Sequence, residues 1–163
     1  MRYFNAAGAD LDNEIGELHN PEPHLIPRIL DAALHPNKKV EIYGTNYDTP
    51  DGTCIRDYIH VSDLAEAHVL SLNYLLAKQQ NDVFNIGNGQ GFSVKEVIDT
   101  VKKVTNVDIN YVKQNRRPGD PAILIANAMK IKNILGWNPQ FTELYSIIKT
   151  AWNWSKKEEL NYQ

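Results

Sequence analysis

Strand-like segments alternate with helix-like segments along the whole chain, and that alternation restricts it to an α/β fold with an at least partly parallel sheet. The strand-like pieces are Arg2–Asn5, Val40–Gly44, Ile55–Val61, VFNIG (83–87) and DINYV (108–112). Leu25, Ile26, Ile29, Leu30 and Ala33 recur at helical spacing, with Pro27 tolerable in a first turn and Pro36 as the stop. Ser62 reads as the cap of a helix running to about Leu76. Ser93 with Glu96 three residues on is a capping box, opening a helix whose buried stripe is Val94, Val97, Ile98, Val101 and Val104. Helices over 128–135 and 144–154 close the pattern. KKEELNYQ (156–163) reads as a solvated polar tail, leaving one domain over 1–155.

The function classes that composition excludes follow from charge and cysteine. A net charge of −3 gives no reason to expect a nucleic-acid or membrane surface. No apolar run approaches the roughly 20 residues that span a bilayer, and no signal peptide is legible at the N-terminus. The single cysteine, Cys54, makes neither an internal disulfide nor a thiolate metal cluster, which points to a reducing, cytoplasmic setting. RYFN follows Met1 with no cap or turn, so the chain reads as starting mid-strand, as a truncated or split protein does.

The chemistry-bearing candidates are few. GNGQG (87–91) lies between strand and helix but lacks the spacing of either phosphate-loop fingerprint, G-x-G-x-x-G or G-x-x-x-x-G-K, and reads as a tight turn. Arg56, Arg116, Arg117 and Asp120 suit an anion clamp, because guanidinium forks match phosphate oxygens and a carboxylate accepts from sugar hydroxyls. A solvated charged loop explains them equally well on composition. The histidines at 19, 24, 35, 60 and 68 show no ligand spacing, and packing or capping roles are expected. Tyr3, Phe4, Tyr43 and Tyr58 could stack on a base or sugar, or pack as core aromatics. There is no nucleophile elbow and no Ser with Tyr-x-x-x-Lys; Tyr74 and Lys78 have that last spacing, but in a helix that reads as packing.

NYDTPDGTCIRDYIHVSDLAEAH (46–68), with RYFNAAGA, EIYG, FNIGNGQGFSV, RRPGDPA and a WNWSKK-like ending in order, resembles the UDP-galactose (UDP-glucose) 4-epimerases of the extended short-chain dehydrogenase/reductase family. The resemblance implies the C-terminal, substrate-binding half of a Rossmann-type protein, with orphaned strands of a parallel sheet whose other strands lie in an N-terminal half. It implies a reaction in which a Tyr base takes the 4-hydroxyl proton while NAD takes hydride from C4, and the 4-keto sugar is reduced from its other face. The Tyr base, its Lys and the NAD loop belong to the N-terminal half, so this chain alone is expected to hold no NAD and to be inactive.

By the same resemblance, Asn5 would bond the sugar or its phosphate and Phe4 would touch the nicotinamide. His24 and Leu25 would approach the diphosphate, where the family often carries Asn in place of His24. Glu41, Ile42 and Tyr43 would line the uracil, Tyr43 by stacking. Arg56 and Arg117 would hold phosphates, Asp120 the ribose, and Tyr58 the sugar wall. Leu124 would stand where the family limits room for a 2-acetamido group. The expected partners are a UDP-sugar, the N-terminal NAD-binding half, and, in its absence, further copies of the chain through unpaired strands such as RYFN, YIHV and FNIG. A nucleotide-sugar-binding module without catalysis, or part of a related dehydratase or epimerase, are the rival expectations.

Overall fold

A computed structural model describes residues 1–161. The element order is β1 (Arg2–Tyr3), β2 (Asn5–Ala7), α1 (Leu25–Leu34), β3 (Val40–Tyr43), β4 (Ile55–His60), α2 (Val61–Lys78), β5 (Asn85–Ile86), β6 (Gly91–Ser93), α3 (Val94–Thr105), β7 (Tyr111–Gln114), β8 (Ile123–Leu124), α4 (Met129–Leu135) and α5 (Leu144–Asn161). The α/β expectation holds, and most pairings are parallel.

Strand β4 organises the sheet. It pairs in parallel with β2, Asn5 opposite Tyr58 and Ala7 opposite His60. On its other side it runs antiparallel to β6, with Arg56 opposite Phe92; across the opposite edge from β6, the same Arg56 pairs in parallel with Leu124 of β8. Two further parallel pairs, β1 with β5 and β3 with β7, stand apart from it. Strand β7 begins at Tyr111, three residues beyond the expected start, because its extent is set by pairing along β3, Val40 opposite Tyr111.

Two apolar clusters carry the packing. The larger joins α1, α3 and α5 through Ile29, Leu30, Val97, Ile98, Val101, Ile147 and Ile148, all essentially inaccessible. Each such side chain contributes on the order of 1.5–3 kcal/mol by leaving water. The smaller joins β4, α2, β5 and α4 through Ile59, Ala67, Phe84, Ile86, Ile131 and Trp137. The Trp137 indole N–H is satisfied by the Asp63 carbonyl at 3.0 Å, as a buried donor requires.

Helix ends explain two departures from the sequence reading. The cap of α2 is His60, not Ser62: the His60 ring accepts from the Ser62 N–H at 3.1 Å, and the helix begins at Val61. The capping box of α3 forms as expected, Ser93 Oγ accepting from the Glu96 N–H at 3.0 Å and Glu96 accepting from the Ser93 N–H at 2.7 Å. The stretch from 156, expected as a polar tail, instead continues α5 to Asn161; residues 162 and 163 lie outside the described part. Among the described residues no helix is long and apolar enough to cross a membrane.

Candidate functional site

The TPDGT loop and the Gly-rich turn are both built around carboxylates. Asp51 accepts from the Thr53 N–H at 2.8 Å, from the Thr53 hydroxyl at 2.7 Å and from the Ser93 hydroxyl, tying this loop to the cap of α3. Gly52 sits at φ +79, a conformation that L side chains rarely adopt, with the Thr45 carbonyl where a Cβ would stand. Asp57 is inaccessible and accepts the N–H groups of Asn88 (2.9 Å), Gly89 (3.1 Å) and Ala126 (3.1 Å). Burial pushes its carboxyl up, and those three donors pull against that shift. The Gly-rich turn therefore wraps an internal carboxylate, to which its Asn88 and Gly89 N–H groups are committed, in agreement with its reading as a tight turn.

These anchors fix the outward face of β4. Arg56 and Tyr58 alternate with Asp57, and together with neighbouring elements they enclose a pocket of about 220 Å³. Asn5 comes from β2, His24, Leu25 and Arg28 from the start of α1, Glu41 and Tyr43 from β3, and Arg117 and Asp120 from the loop after β7. Asn5 is held by donating its side-chain amide to the Asp57 carbonyl at 2.8 Å. The Arg117 guanidinium lies over the Tyr43 ring, 3.9 Å from its centre. The Tyr43 hydroxyl donates to Glu41 at 2.7 Å, and Gln114 donates to the same carboxylate at 3.0 Å. Those bonds, with Arg28 at 3.6 Å, hold the Glu41 carboxyl below its usual range. Arg56 donates to the Ile55 carbonyl at 2.7 Å and to the Asp120 carboxylate. Burial pushes the Tyr58 phenol well above its usual value, so it stays neutral.

A second, wider cleft of about 810 Å³ adjoins this pocket. Tyr3, Phe4, Ile15, Leu18 and His19 line it, and Asn5 and His24 line both cavities. Phe4 is 41% exposed there.

Most of the expected site residues thus converge. Ile42 does not: it is 3% exposed and belongs to the core under β3, while its neighbours Glu41 and Tyr43 face the pocket. Leu124 is on β8, in register with Arg56 but not on the pocket wall. The adjacent arginines part company. Arg116 turns to the Tyr47 ring at 4.1 Å and to the Asn46 side chain at 2.7 Å, so of the two only Arg117 lines the pocket. Sequence reading missed Arg28, which is one helical turn beyond His24 and Leu25 and shares their face.

Comparison with known proteins now decides the lineage. The model of the NAD dependent epimerase/dehydratase family matches residues 1–87, more than half of the chain. The chain belongs to that family. It is 51% identical to a UDP-glucose 4-epimerase of Halalkalibacterium halodurans over 99% of its own length and 48% of the relative's. A crystal structure of a UDP-glucose 4-epimerase superposes with a TM-score of 0.93 at 51% identity, covering 97% of this chain and 48% of that one. The Bifidobacterium longum UDP-glucose 4-epimerase in complex with NAD+ and UDP gives 0.87 at 38% identity, covering 97% and 47%. The chain spans about half the length of the curated relatives it matches.

Proposed function

We propose that this chain is the nucleotide-sugar-holding part of a UDP-glucose 4-epimerase. The observation that carries the reading is the pocket in which Arg28, Arg56, Arg117, Asp120, Asn5 and Tyr43 converge. Its parts suit a uridine diphosphate: guanidinium forks for the phosphates, a carboxylate for ribose hydroxyls and an aromatic face for the base. The kinship with UDP-glucose 4-epimerases supports it independently.

The division of labour follows from what the residues can and cannot do. For NAD, the wide cleft supplies an apolar rim at Tyr3 and Phe4. The Gly-rich turn lacks the spacing of a dinucleotide fingerprint, and its Asn88 and Gly89 N–H groups are committed to Asp57. Two tyrosines have Lys four residues on, Tyr74 and Tyr145; Tyr74 packs edge-on against Phe84 at 5.8 Å, and neither tyrosine lines either cavity. The chain therefore binds and orients substrate, and the groups that accept the 4-hydroxyl proton and hold NAD lie outside it. On this reading the chain alone does not epimerise UDP-galactose. A cytoplasmic setting belongs to the same reading, supported by the free, buried thiol of Cys54.

The test is calorimetry on the purified chain. UDP binds at one site, and NAD added alone gives no heat. Tight NAD binding without UDP, or turnover of UDP-galactose by chain free of host epimerase, overturns the assignment; so does failure to bind UDP at millimolar concentration.

A further inference from the structure

The loop between β2 and α1 lines the wide cleft and is fastened to α5. The Trp154 indole N–H donates to the Glu17 carbonyl at 2.9 Å, and the Lys157 ammonium donates to the Asn13 carbonyl at 2.7 Å. Gly16 lies so close to the Trp154 ring that a Cβ there would overlap it. From this fixed backbone four side chains converge: Glu17, His19, Glu22 and His24, with one ligand-type atom from each all within 4.8 Å of one another.

The separations have a recognisable scale. His19 Nδ1 is 3.2 Å from Glu17 Oε1 and 3.5 Å from Glu22 Oε2. His24 Nδ1 is 3.1 Å from Glu22 Oε1 and closer still to Glu17 Oε1. Tetrahedral zinc with bonds of about 2.0–2.2 Å places neighbouring ligand atoms roughly 3.3–3.6 Å apart, which the two His19 separations approach, while the two at His24 are shorter and would widen on binding. Hydrogen bonding alone serves the cluster poorly. Each Nδ1 carries at most one proton yet faces two carboxylates, and the His24 main-chain N–H already donates to Glu22 Oε1 at 2.7 Å. A dication at the centre satisfies both imidazoles and both carboxylates together and is neutralised by the latter. That last main-chain bond then acts as an outer contact orienting a ligand.

We propose that Glu17, His19, Glu22 and His24 form a binding site for one divalent transition-metal ion, with zinc the best match. The mixed donors select the metal: calcium and magnesium take oxygen ligands, whereas two imidazoles with two carboxylates suit borderline ions. The site stands where the two cavities meet, since His24 lines both. Bound metal would clamp the loop to the start of α1. The proposal is independent of which ligand the pocket takes.

The experiment uses untagged full chain, stripped with chelator and titrated with zinc chloride by calorimetry. One zinc binds per chain, and the melting temperature rises with free zinc, as for any ligand of the native state. His19→Ala and Glu17→Gln each weaken binding at least roughly tenfold, the lower bound for loss of even an outer partner. His35→Ala, remote from the cluster, binds as the native chain does. Cobalt(II) in place of zinc gives the visible absorption of a four-coordinate site in the native chain and not in the two ligand variants, a readout that a change in stability does not mimic. Absence of stoichiometric zinc binding, or native affinity in His19→Ala and Glu17→Gln, overturns the site.

Discussion

Arg117 holds its guanidinium over the ring of Tyr43, 3.9 Å from the ring centre, and Tyr43 in turn is locked by its hydroxyl bond to Glu41. The pair is a prebuilt wall: Tyr43 holds the fork of Arg117 at the pocket, and Glu41 keeps Tyr43 from swinging away. A planar cation held over a ring keeps its edge donors free for phosphate oxygens. Arg117→Ala is expected to weaken UDP binding by about 1–3 kcal/mol, the range for a bond to a charged group. Arg117→Lys retains the charge but loses the planar fork, so its loss falls between native and alanine. Calorimetry with UDP reads both; unchanged affinity in Arg117→Ala removes this residue from the clamp.

Arg56 and Asp120 are paired in the same pocket, with the Arg56 side chain only 12% exposed. Removing the carboxylate leaves a largely buried cation short of an acceptor. Asp120→Asn should lower stability by roughly 1–3 kcal/mol, toward the lower end because Asp120 is itself 28% exposed. If UDP phosphates occupy the same side of Arg56, saturating UDP narrows the gap in melting temperature between variant and native chain. A gap that widens with UDP shows that Asp120, more than Arg56, holds the ligand.

His60 offers a pH test. Its Nδ1 accepts from the Ser62 N–H, so the neutral ring carries its proton on Nε2 and donates it to Thr150 at 3.0 Å. Thr150 donates onward to the Ile147 carbonyl at 2.9 Å and accepts from the Ala9 N–H at 3.1 Å. Burial holds the His60 pKa below its ordinary value, partly offset by the Asp63 charge. The unfolded chain, with a His pKa near about 6.5, therefore binds the proton more readily than the fold does. The His60 contribution is whole above that value and is lost as pH falls toward the lower folded pKa, by at most about 1.4 kcal/mol per pH unit. His60→Asn keeps a capping oxygen and removes the titration. Urea unfolding between pH 7 and 5 should show a shallower decline in the variant; equal slopes show that His60 is not the titrating group.

How much of this was legible in the sequence differs by level. The elements were, because β-branched and aromatic runs and the Ser93–Glu96 box are local signals. The clamp residues Arg56, Arg117 and Asp120 were legible as chemistry, but their meeting depends on the β4 register and the loop after β7. Ile42 shows where a simple rule was available: side chains alternate along a strand, so a wall containing Glu41 and Tyr43 excludes the residue between them. The cap at His60 was not legible, since Ser62 is the better capping residue by type and only the path of β4 decides which residue leaves the strand. The Glu17, His19, Glu22 and His24 cluster was missed by weighing histidines without the glutamates between them, in a loop whose course is set by contacts with α5 more than a hundred residues away.

The last expectation concerns the face that this chain leaves bare. On α2, Val69, Leu72 and Leu76 fall at i, i+3 and i+7 and are 58%, 56% and 61% exposed. On the same helix His68 packs edge-on against Tyr3 of β1, a strand that among the described residues pairs only with β5, and Tyr3, Phe4 and Val83 at that end are also exposed. A single stripe on one helix could be chance; a stripe adjoining a two-stranded parallel ribbon is the form of a sheet and helix layer awaiting the next layer. Apolar surface of this kind drives association, and unpaired strand edges add hydrogen bonds to it. If the remainder of an epimerase covers this face, the isolated chain should cover it with a second copy. Light scattering on a sizing column should give masses rising above the 18.5 kDa monomer as concentration increases. Leu72→Glu with Leu76→Glu places charge in the stripe without touching either cavity and should restore the monomer. A native chain that stays monomeric at high concentration and unfolds cooperatively would show that this face needs no partner and that the domain is autonomous.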